Sequence, residues 1–327
     1  MHYRLAFLSS FILAGCASNA TPELAKSHFP LHNTKNTPNT LYDYQLLSPT
    51  TEALQLGSLP DKIVQADVVL IGEWHTHTGI HRFQTDLLNQ LSFRNDTALS
   101  LEQFSRDKQE ILDQYLRSEI GEQTLIQDAQ TWPNYESDYR PLIELAKSHS
   151  IDVIASNAPR QVVRCIGRKG VGYLEQLDSK QRNHVATVID TQASPYKNKF
   201  MSSMHHGDPQ QTDNQFAAQL TWDATMAESI VDYLNKRPGK QVIHIAGTFH
   251  VEQGLGIAAQ IRRLNSNLKI TIITPSSSKP LTQGSDYTLL VLPLPARYVQ
   301  QENRLKAYQS LHKRNDTLNC DIETPTD

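Results

Sequence analysis

Five short runs of aliphatic residues constrain the fold of this chain more than any other feature. They are residues 66–72, 97–103, 151–157, 241–247 and 268–274. None of them alternates strictly between apolar and polar residues, which is typical of strands buried on both faces of a parallel sheet. The segments between them are amphipathic: within 216–234, apolar residues recur at helical spacing and place Asp223, Glu228 and Asp232 on other faces. The chain is therefore expected to form a layered α/β fold, with helices flanking a mostly parallel sheet.

Two regions interrupt this alternation. Residues 104–148 contain no convincing strand but can form three helices, which predicts a helical excursion between the second and third of the five strands. Residues 189–214 have an irregular pattern that includes adjacent Met204, His205 and His206. This second region predicts a long loop, and long loops in compact domains often carry function.

The first sixteen residues have the composition of an export signal. A basic start precedes an apolar run that is too short to cross a bilayer, for which about 20 apolar residues are needed. The last four residues, Leu-Ala-Gly-Cys, resemble the bacterial lipobox, in which the cysteine thiol, here that of Cys16, becomes lipidated. An ordinary secretory signal is the alternative. Because no aspartate follows Cys16, the anchor is expected in the outer membrane of a Gram-negative bacterium.

The rest of the chain divides by composition. Residues 17–60 are rich in Pro, Thr, Asn and Ser and predict a flexible tether, residues 61–310 a folded body, and residues 311–327 a loose polar tail. In an oxidising compartment, Cys165 and Cys320 are equally compatible with one disulfide and with two free thiols. The net charge of −3 and the pI near 6.5 provide no basic surface for nucleic acid.

Polar side chains follow four of the predicted strands. They are Glu73 and His75 after the first strand, Glu102 after the second, Asn157 and Arg160 after the third, and His250 after the fourth. Ligands of open α/β sheets bind beyond the carboxyl ends of the strands, so these side chains are expected to share one polar rim. His75 and His250 each end a Gly-x-x-His phrase, whose glycine permits a sharp turn. His77 and His81 are expected on the surface, or else in support of the rim.

This set of side chains has two open interpretations. His75, Glu102 and His250 form a suitable ligand set for a divalent metal such as Fe, Mn, Co or Zn. Such a metal activates water in hydrolases, and Glu73 is then the candidate general base. In the structural interpretation, Glu102 caps a helix and Arg160 pairs with a carboxylate.

Six phrases occur in a fixed order along the chain. They are "VVLIGEWHTHTGIHRFQ", "LSLEQFSRD", "WPNYESDYRPLIELAK", "VIASNAPRQVVR", "QLTWDATMAESI" and "HIAGTFHVEQGLG". Together they resemble the ChaN-like haem-binding lipoproteins of the Tiki superfamily, over about residues 60–275. The resemblance implies a Rossmann-like α/β core with a helical subdomain, and haem bound at the interface of a homodimer with tyrosine as iron ligand. The wider superfamily contains metal-dependent peptidases, whose two Gly-x-x-His phrases and glutamate map to His75, His250 and Glu102.

The tyrosine that would bind haem iron has to be chosen by chemistry, because no motif maps onto it. A tyrosine bound to ferric iron is a phenolate, whose pKa must be lowered by the metal or by a neighbouring cation. Tyr196 lies beside Lys197 and near His205 and His206, which could contact a haem propionate, and Tyr173 is its rival. The tyrosines ranked after these are Tyr135 and Tyr139.

The expected function is haem binding by an exported, lipid-anchored protein in iron or haem acquisition. Its expected partners are haem, a second copy of the chain when haem is bound, and a haem receptor or transporter. A metal-dependent hydrolase is the alternative, and a structural lipoprotein that retains these residues without using them is the third possibility.

Overall fold

A single eight-stranded sheet forms the centre of the fold. The computed structural model describes residues 37–203, 208–280, 284–315 and 318–321 of the 327-residue chain. The strands are β1 (Tyr44–Leu47), β2 (Ala53–Leu54), β3 (Val68–Glu73), β4 (Thr97–Ser105), β5 (Asp152–Asn157), β6 (Gln241–Gly247), β7 (Ile270–Ser276) and β8 (Tyr287–Val291). They lie in the order β2-β1-β8-β7-β3-β6-β4-β5. Every pair from β8 to β5 is parallel, whereas β1 is antiparallel to both of its neighbours. The mostly parallel α/β sheet is therefore confirmed, and the five predicted strands are β3 to β7.

Helices cover both faces of the sheet. They are α1 (Asp61–Val64), α2 (Thr78–Ser92), α3 (Gln109–Leu116), α4 (Glu122–Asp128), α5 (Arg140–Ser148), α6 (Arg160–Lys169), α7 (Ser179–Arg182), α8 (Pro195–Ser203), α9 (Pro209–Lys236), α10 (Thr248–Val251), α11 (Ile257–Leu264) and α12 (Gln301–Asn315). Within the described ranges, none of these helices has the length and apolar character needed to cross a membrane.

Alternate residues of the central strands enter two different cores. On β3, Val69 and Ile71 pack with α2 and with the helices between β4 and β5, whereas Val68 and Leu70 pack with α9 and α11. All four side chains are fully buried. A parallel strand with helices on both faces leaves no face for polar residues, which explains the continuous aliphatic runs.

The chain between β4 and β5 contains several short helices. It contains α3, α4, a π-helical turn at Tyr135–Tyr139 and α5. Apolar side chains of this segment, such as Leu112, Leu125 and Leu142, belong to the same core as Ile71 of β3. These helices therefore cover one face of the sheet.

The predicted tether at residues 17–60 is wrong for its last part. Residues 44–47 form β1, which pairs with β8, and both Leu46 and Leu47 are buried. The sequence does not reveal this strand because four residues are too few to show a period, and the partner strand lies far along the chain. Residues 1–36, which include Cys16 and the lipobox, lie outside the described residues.

The predicted long loop at residues 189–214 is wrong in its centre. Pro195–Ser203 form α8, and α9 begins at Pro209. Both helices start at a proline, and the first helical position tolerates proline because its N–H has no partner within the helix. The side chain of Asp208 caps α9 by accepting a hydrogen bond from the backbone N–H of Gln210. Pro195 and Pro209 are therefore helix starts.

The carboxyl-terminal segment is fixed to α6. Cys165 of α6 forms a disulfide with Cys320, which decides between the two alternatives left open by the sequence. The Lys169 ammonium donates to the carbonyl oxygen of Cys320 at 2.8 Å, and the Arg168 guanidinium donates to that of Leu318 at 2.7 Å. The described part of the predicted loose tail is thus held in place.

Removal of this disulfide by Cys320→Ser is expected to lower the free energy of unfolding by about 2 kcal/mol, the lower end of the usual range for native disulfides. The two cysteines are 155 residues apart, which favours a large effect, but the short tail can detach while the sheet stays folded. Urea denaturation of the oxidised wild type and the variant measures the difference. A reducing agent should lower the midpoint of the wild type and leave that of the variant unchanged. An unchanged midpoint in the variant would show that the bond does not stabilise the fold.

Candidate functional site

The polar rim lies where β3, β4 and β6 end. Glu73 and Gly247 are paired in the register of β3 and β6, and β4 lies on the other side of β6. Glu102, near the end of β4, and His250, in α10 just beyond β6, reach the same edge. The parallel topology thus brings together residues that are separated by up to 177 positions.

Glu73 is a buried carboxylate with four hydrogen-bond donors around it. Its Oε1 accepts from Tyr139 Oη at 2.7 Å, His75 Nδ1 at 2.8 Å and Gln103 Nε2 at 2.9 Å, and its Oε2 accepts from Gln84 Nε2 at 2.8 Å. Burial alone raises the pKa of this carboxyl, but the hydrogen bond from His75 and the charges of the neighbouring imidazoles hold the pKa below its ordinary value. A low pKa and occupied lone pairs make Glu73 a poor general base.

His75 connects this buried cluster with solvent. Its side chain is 44% exposed, and its Nδ1 donates to Glu73, whereas its Nε2 makes no hydrogen bond within the described part of the chain. Its ring lies against Gly247, where a Cβ atom would come within 3.1 Å of the ring, so the glycine permits this close approach. The ring also meets the edge of Trp132 at a centroid distance of 4.9 Å. Burial lowers the pKa of His75, but the hydrogen bond with Glu73 and the charge of Glu102 raise it above its ordinary value.

The expectation of a surface position for His77 and His81 is wrong, because both side chains are buried. His81 Nδ1 lies 3.0 Å from the side-chain oxygen of Gln84, and its Nε2 lies 3.0 Å from the carbonyl oxygen of His75. His81 therefore supports the rim, which was the second prediction. His77 Nε2 donates to the carbonyl oxygen of Leu292 at 2.8 Å and ties the start of α2 to the end of β8.

Glu102 contacts the second Gly-x-x-His phrase from the β4 side. Its Oε2 accepts a hydrogen bond from the backbone N–H of Gly247 at 2.6 Å, and its Oε1 lies 3.7 Å from His250 Nε2. The pairing of β4 with β5 is irregular after Leu101, so the end of β4 departs from a regular ladder. Such irregularities re-aim side chains near functional sites. Beyond this irregularity, the side chain of Glu102 contacts β6, and that of the next residue, Gln103, contacts Glu73 of β3.

His250 is the centre of a second buried cluster. Its Nδ1 donates to Asp223 Oδ1 at 2.7 Å, and the hydroxyl of Tyr196 donates to Asp223 Oδ2 at 2.7 Å. Gln219 Nε2 lies 3.0 Å from both Tyr196 Oη and His250 Nδ1. Burial lowers the pKa of His250, but the carboxylates of Asp223 and Glu102 outweigh it and raise the pKa to about 9. The cluster therefore holds an imidazolium between two acidic side chains at neutral pH.

His244 lies beneath the rim on β6. Its Nδ1 is 2.8 Å from Ser100 Oγ of β4, and its Nε2 has no hydrogen-bond partner among the described residues. Burial, with a smaller contribution from the charge of His250, lowers the pKa of His244 to about 3. This imidazole is therefore neutral at every physiological pH. The sequence did not single it out, because a histidine inside an aliphatic run resembles an ordinary core position.

One protein family shares this arrangement of phrases over most of the body. The model of the family described as "Haem-binding uptake, Tiki superfamily, ChaN" matches residues 59–261, which is more than half of the chain. The chain belongs to the ChaN family. The resemblance drawn from its sequence phrases is thereby confirmed.

Relatives of this ChaN-family chain include solved structures and a plant protein. ChaN of Campylobacter jejuni, in a structure titled for its cofacial haem binding, has 17% identity and a TM-score of 0.60, and the match covers 77% of this chain and 98% of that one. An erythromycin esterase, EreC, in its open conformation, has 12% identity and a TM-score of 0.42, with coverage of 80% and 86%. The chloroplastic protein RETICULATA-RELATED 5 of Arabidopsis thaliana is 24% identical over 225 residues, which are 65% of this chain and 28% of that protein. This chain thus spans about a quarter of the length of that relative.

The predicted metal site of this ChaN-family protein has no support from the geometry. Within the described ranges, no group of three or more His, Cys, Asp or Glu side chains could hold a metal ion. The imidazole nitrogens at His75 Nδ1 and His250 Nδ1 donate to carboxylates, and Glu102 binds a backbone N–H. Neither the predicted divalent metal nor the metal-dependent hydrolase therefore gains support from the described residues.

The tyrosines that were predicted to bind haem iron are both buried. Tyr196 is 3% exposed, and burial together with Asp223 raises its pKa, the opposite of what a phenolate ligand needs. Tyr173 is 5% exposed and packs in an apolar cluster with α6 and α9. Haem ligation by either residue stays a prediction. His205 and His206 lie outside the described residues.

The two remaining rim residues of this ChaN-family chain have different environments. Asn157 is buried, and its Nδ2 donates to the carbonyl oxygen of Glu102 at 2.9 Å, so it braces β4 against β5. Arg160 is exposed at the first position of α6. Asn157 therefore connects β5 with β4 beneath the rim, whereas Arg160 faces solvent.

Sequence reasoning missed the residues that hold the two buried clusters. Asp223 was expected on another face of α9 than the apolar residues, but its side chain is fully buried and binds His250. Gln219 lies one helical turn earlier, so the pair occupies one stripe of the helix. The position of Asp223 between Trp222 and Ala224, in the phrase "QLTWDATMAES", was the available signal. Gln84, Gln103 and Tyr139 carried no comparable signal, because the residues they contact are distant in sequence.

Proposed function

We propose that this chain binds haem as an exported lipoprotein of iron or haem acquisition. The observation that carries the proposal is the match of the ChaN family of haem-binding uptake proteins to residues 59–261. The structure of the Campylobacter jejuni relative is titled for cofacial haem binding, which is a property of that protein and extends to this chain only as part of the proposal. Haem shared between two copies of the chain, and delivery to a receptor or transporter, belong to the same proposal.

His75 offers a group that suits haem. Its imidazole is half-exposed, its Nε2 is open, and the hydrogen bond to Glu73 fixes its orientation. Its raised pKa favours the imidazolium form, which pairs with a carboxylate such as a haem propionate. The neighbouring edge of Trp132 provides an apolar contact for a flat ring. We therefore propose His75 as the partner of one haem propionate, and Tyr196, Tyr173, His205 and His206 remain the side chains to test as iron ligands.

The disulfide supports the proposed export. Bonded cysteines persist in oxidising compartments and are rare in the cytosol. The Cys165–Cys320 bond therefore agrees with passage through the membrane, directed by residues 1–16 and followed by lipid attachment at Cys16 in the outer membrane.

Hemin titration tests the proposal. Purified wild-type protein is expected to shift the Soret absorbance of hemin with saturation and to move from monomer to dimer in analytical ultracentrifugation. His75→Gln keeps a polar side chain but loses the charge, and we expect about tenfold weaker binding, because one charge-assisted hydrogen bond contributes about 1.5 kcal/mol.

His149→Gln is the matched control, because His149 is exposed at the end of α5 and away from the rim. Its affinity for hemin should equal that of the wild type. The absence of any saturable Soret change in the wild type would contradict the proposal. Equal losses of hemin affinity in His75→Gln and His149→Gln would contradict the role given to His75.

A further inference from the structure

A cleft of about 340 Å³ lies between α6 and α9, next to the buried cluster around His250. One wall carries Arg164 and Arg168, one helical turn apart on α6, with the backbone of Gly167 between them. Phe200 of α8 and Leu318 of the disulfide-held tail contribute apolar surface. The volume is at the lower end of the range for small-molecule sites.

The opposite wall is a stripe of α9. Gln211, Gln215 and Gln219 follow one another at intervals of four residues and face the cleft, together with Trp222. The side-chain oxygen of Gln215 is buried and has no hydrogen-bond partner among the described residues. Buried polar atoms are rarely left without a partner, so this oxygen is suited to a bound hydrogen-bond donor.

The charge of the lining is positive. Its charged members among the described residues are the two arginines, and neither Asp nor Glu lines the cleft. Arg168 donates one N–H to the carbonyl oxygen of Leu318, and its planar guanidinium has further N–H donors. Guanidinium groups pair well with carboxylates because both groups are planar and two parallel N–H···O hydrogen bonds can form between them.

The cleft ends next to the rim. Gln219 lines it and also lies 3.0 Å from His250 Nδ1, and the ring of Trp222 meets that of His250 at a centroid distance of 6.1 Å. A ligand in the cleft would therefore contact the side chains that surround His250.

We propose that this cleft binds the carboxylate edge of a flat, apolar molecule. The arginines of α6 pair with the carboxylate, and the ring plane lies against Trp222. Two sources have this chemistry: the propionate edge of a porphyrin, which rests on the proposed haem function, and a free aromatic carboxylate, which does not.

Calorimetric titrations with three probes test the inference. The probes are hemin, the dimethyl ester of hemin, and 2-naphthoate, each added to oxidised wild type and to Arg164→Gln and Arg168→Gln. Each substitution is expected to weaken the carboxylate-bearing ligand about tenfold. The diester should bind the wild type and both variants with equal affinity.

Two control variants separate the cleft from the tail and from net charge. Lys169→Gln removes another side chain that holds the tail without lining the cleft, and Arg304→Gln removes an exposed charge on α12. Both controls should bind every probe like the wild type. Circular dichroism of each variant confirms that it is folded, and Gln215→Leu provides a variant of the α9 wall that leaves all charges in place.

The outcomes distinguish the inference from the proposed function. Weaker binding of hemin alone in the arginine variants assigns the cleft to the porphyrin edge, and weaker binding of 2-naphthoate assigns it to a free carboxylate even if hemin fails to bind. Hemin binding that is indifferent to both arginines, together with no binding of 2-naphthoate, overturns the inference while the haem function stands. If none of the probes binds the wild type, both are overturned.

Discussion

Replacement of Glu73 by alanine is expected to lower the free energy of unfolding by about 3–5 kcal/mol, the range for breaking a buried charged network by removing one partner. The variant leaves Tyr139, Gln84 and Gln103 with buried donors that have lost their acceptor, and it leaves the charge of His75 without its partner. Each orphaned donor costs its desolvation free energy, about 1–3 kcal/mol. Urea denaturation followed by circular dichroism measures the change in midpoint at constant slope.

Two further variants define what the loss means. Glu73→Gln keeps the shape but offers one acceptor oxygen instead of two, so its effect should lie between those of the wild type and alanine. Glu119→Ala removes a fully exposed carboxylate and should leave the midpoint unchanged. A loss below about 1 kcal/mol in Glu73→Ala would mean that solvent replaces the lost acceptor and that the cluster is not a rigid support for His75.

The second large effect is a loss of stability of about 3 kcal/mol as the pH rises from about 6.5 to about 9, caused by His250. The pKa of His250 in the folded protein, about 9, exceeds the ordinary value near 6.5 of the unfolded chain. The folded state therefore holds a proton that the unfolded state releases in this window. The stabilisation is fully present below pH 6.5 and disappears as the pH passes 9. Urea midpoints at intervals between pH 6 and pH 9.5 measure it, below the range in which tyrosines ionise.

Asp223→Asn isolates this contribution. The amide carries no negative charge to stabilise the imidazolium, so the pKa of His250 should fall. The free energy of unfolding should then decline less steeply above pH 6.5. The variant should also be less stable than the wild type at pH 6.5, since the buried charge has lost its partner. Asp232→Asn, on the same helix, is the control and should keep the slope of the wild type. A variant of Asp223 with an unaltered alkaline slope would assign the decline to other groups.

The acid side of the profile has a different origin. His244 has a pKa of about 3, below the ordinary value, so its contribution is present above pH 6.5 and is lost as the pH falls towards 3. The lowered pKa of Glu73 acts in the same direction at lower pH. Because these groups do not depend on Asp223 as a partner, Asp223→Asn should retain its acid decline.

The positions of the central strands along the chain could be predicted because the signal is local. Each strand buried on both faces must be aliphatic along its whole length, so a run such as 66–72 can be recognised as a buried strand. Parallel strands place their carboxyl ends on one edge, and this rule alone brings Glu73, Glu102 and His250 together. The family was also evident from the sequence, since ordered phrases persist where overall identity is low.

The partners of these side chains could not be predicted from the sequence. Tyr196 contacts Asp223 because α8 packs on α9, and Cys165 bonds to Cys320 because the tail lies against α6. Neither contact can be recognised from the local sequence pattern. His81 was expected on the surface because periodicity does not show which face of a helix another element covers. The sequence by itself determined the five central strands and their shared polar edge, which follow from burial on both faces and from the rule for parallel strands, and it determined the family through its ordered phrases. Only the tertiary structure decided which donors hold each carboxylate, where the charges are buried and where the cleft opens, because those depend on how the helices pack.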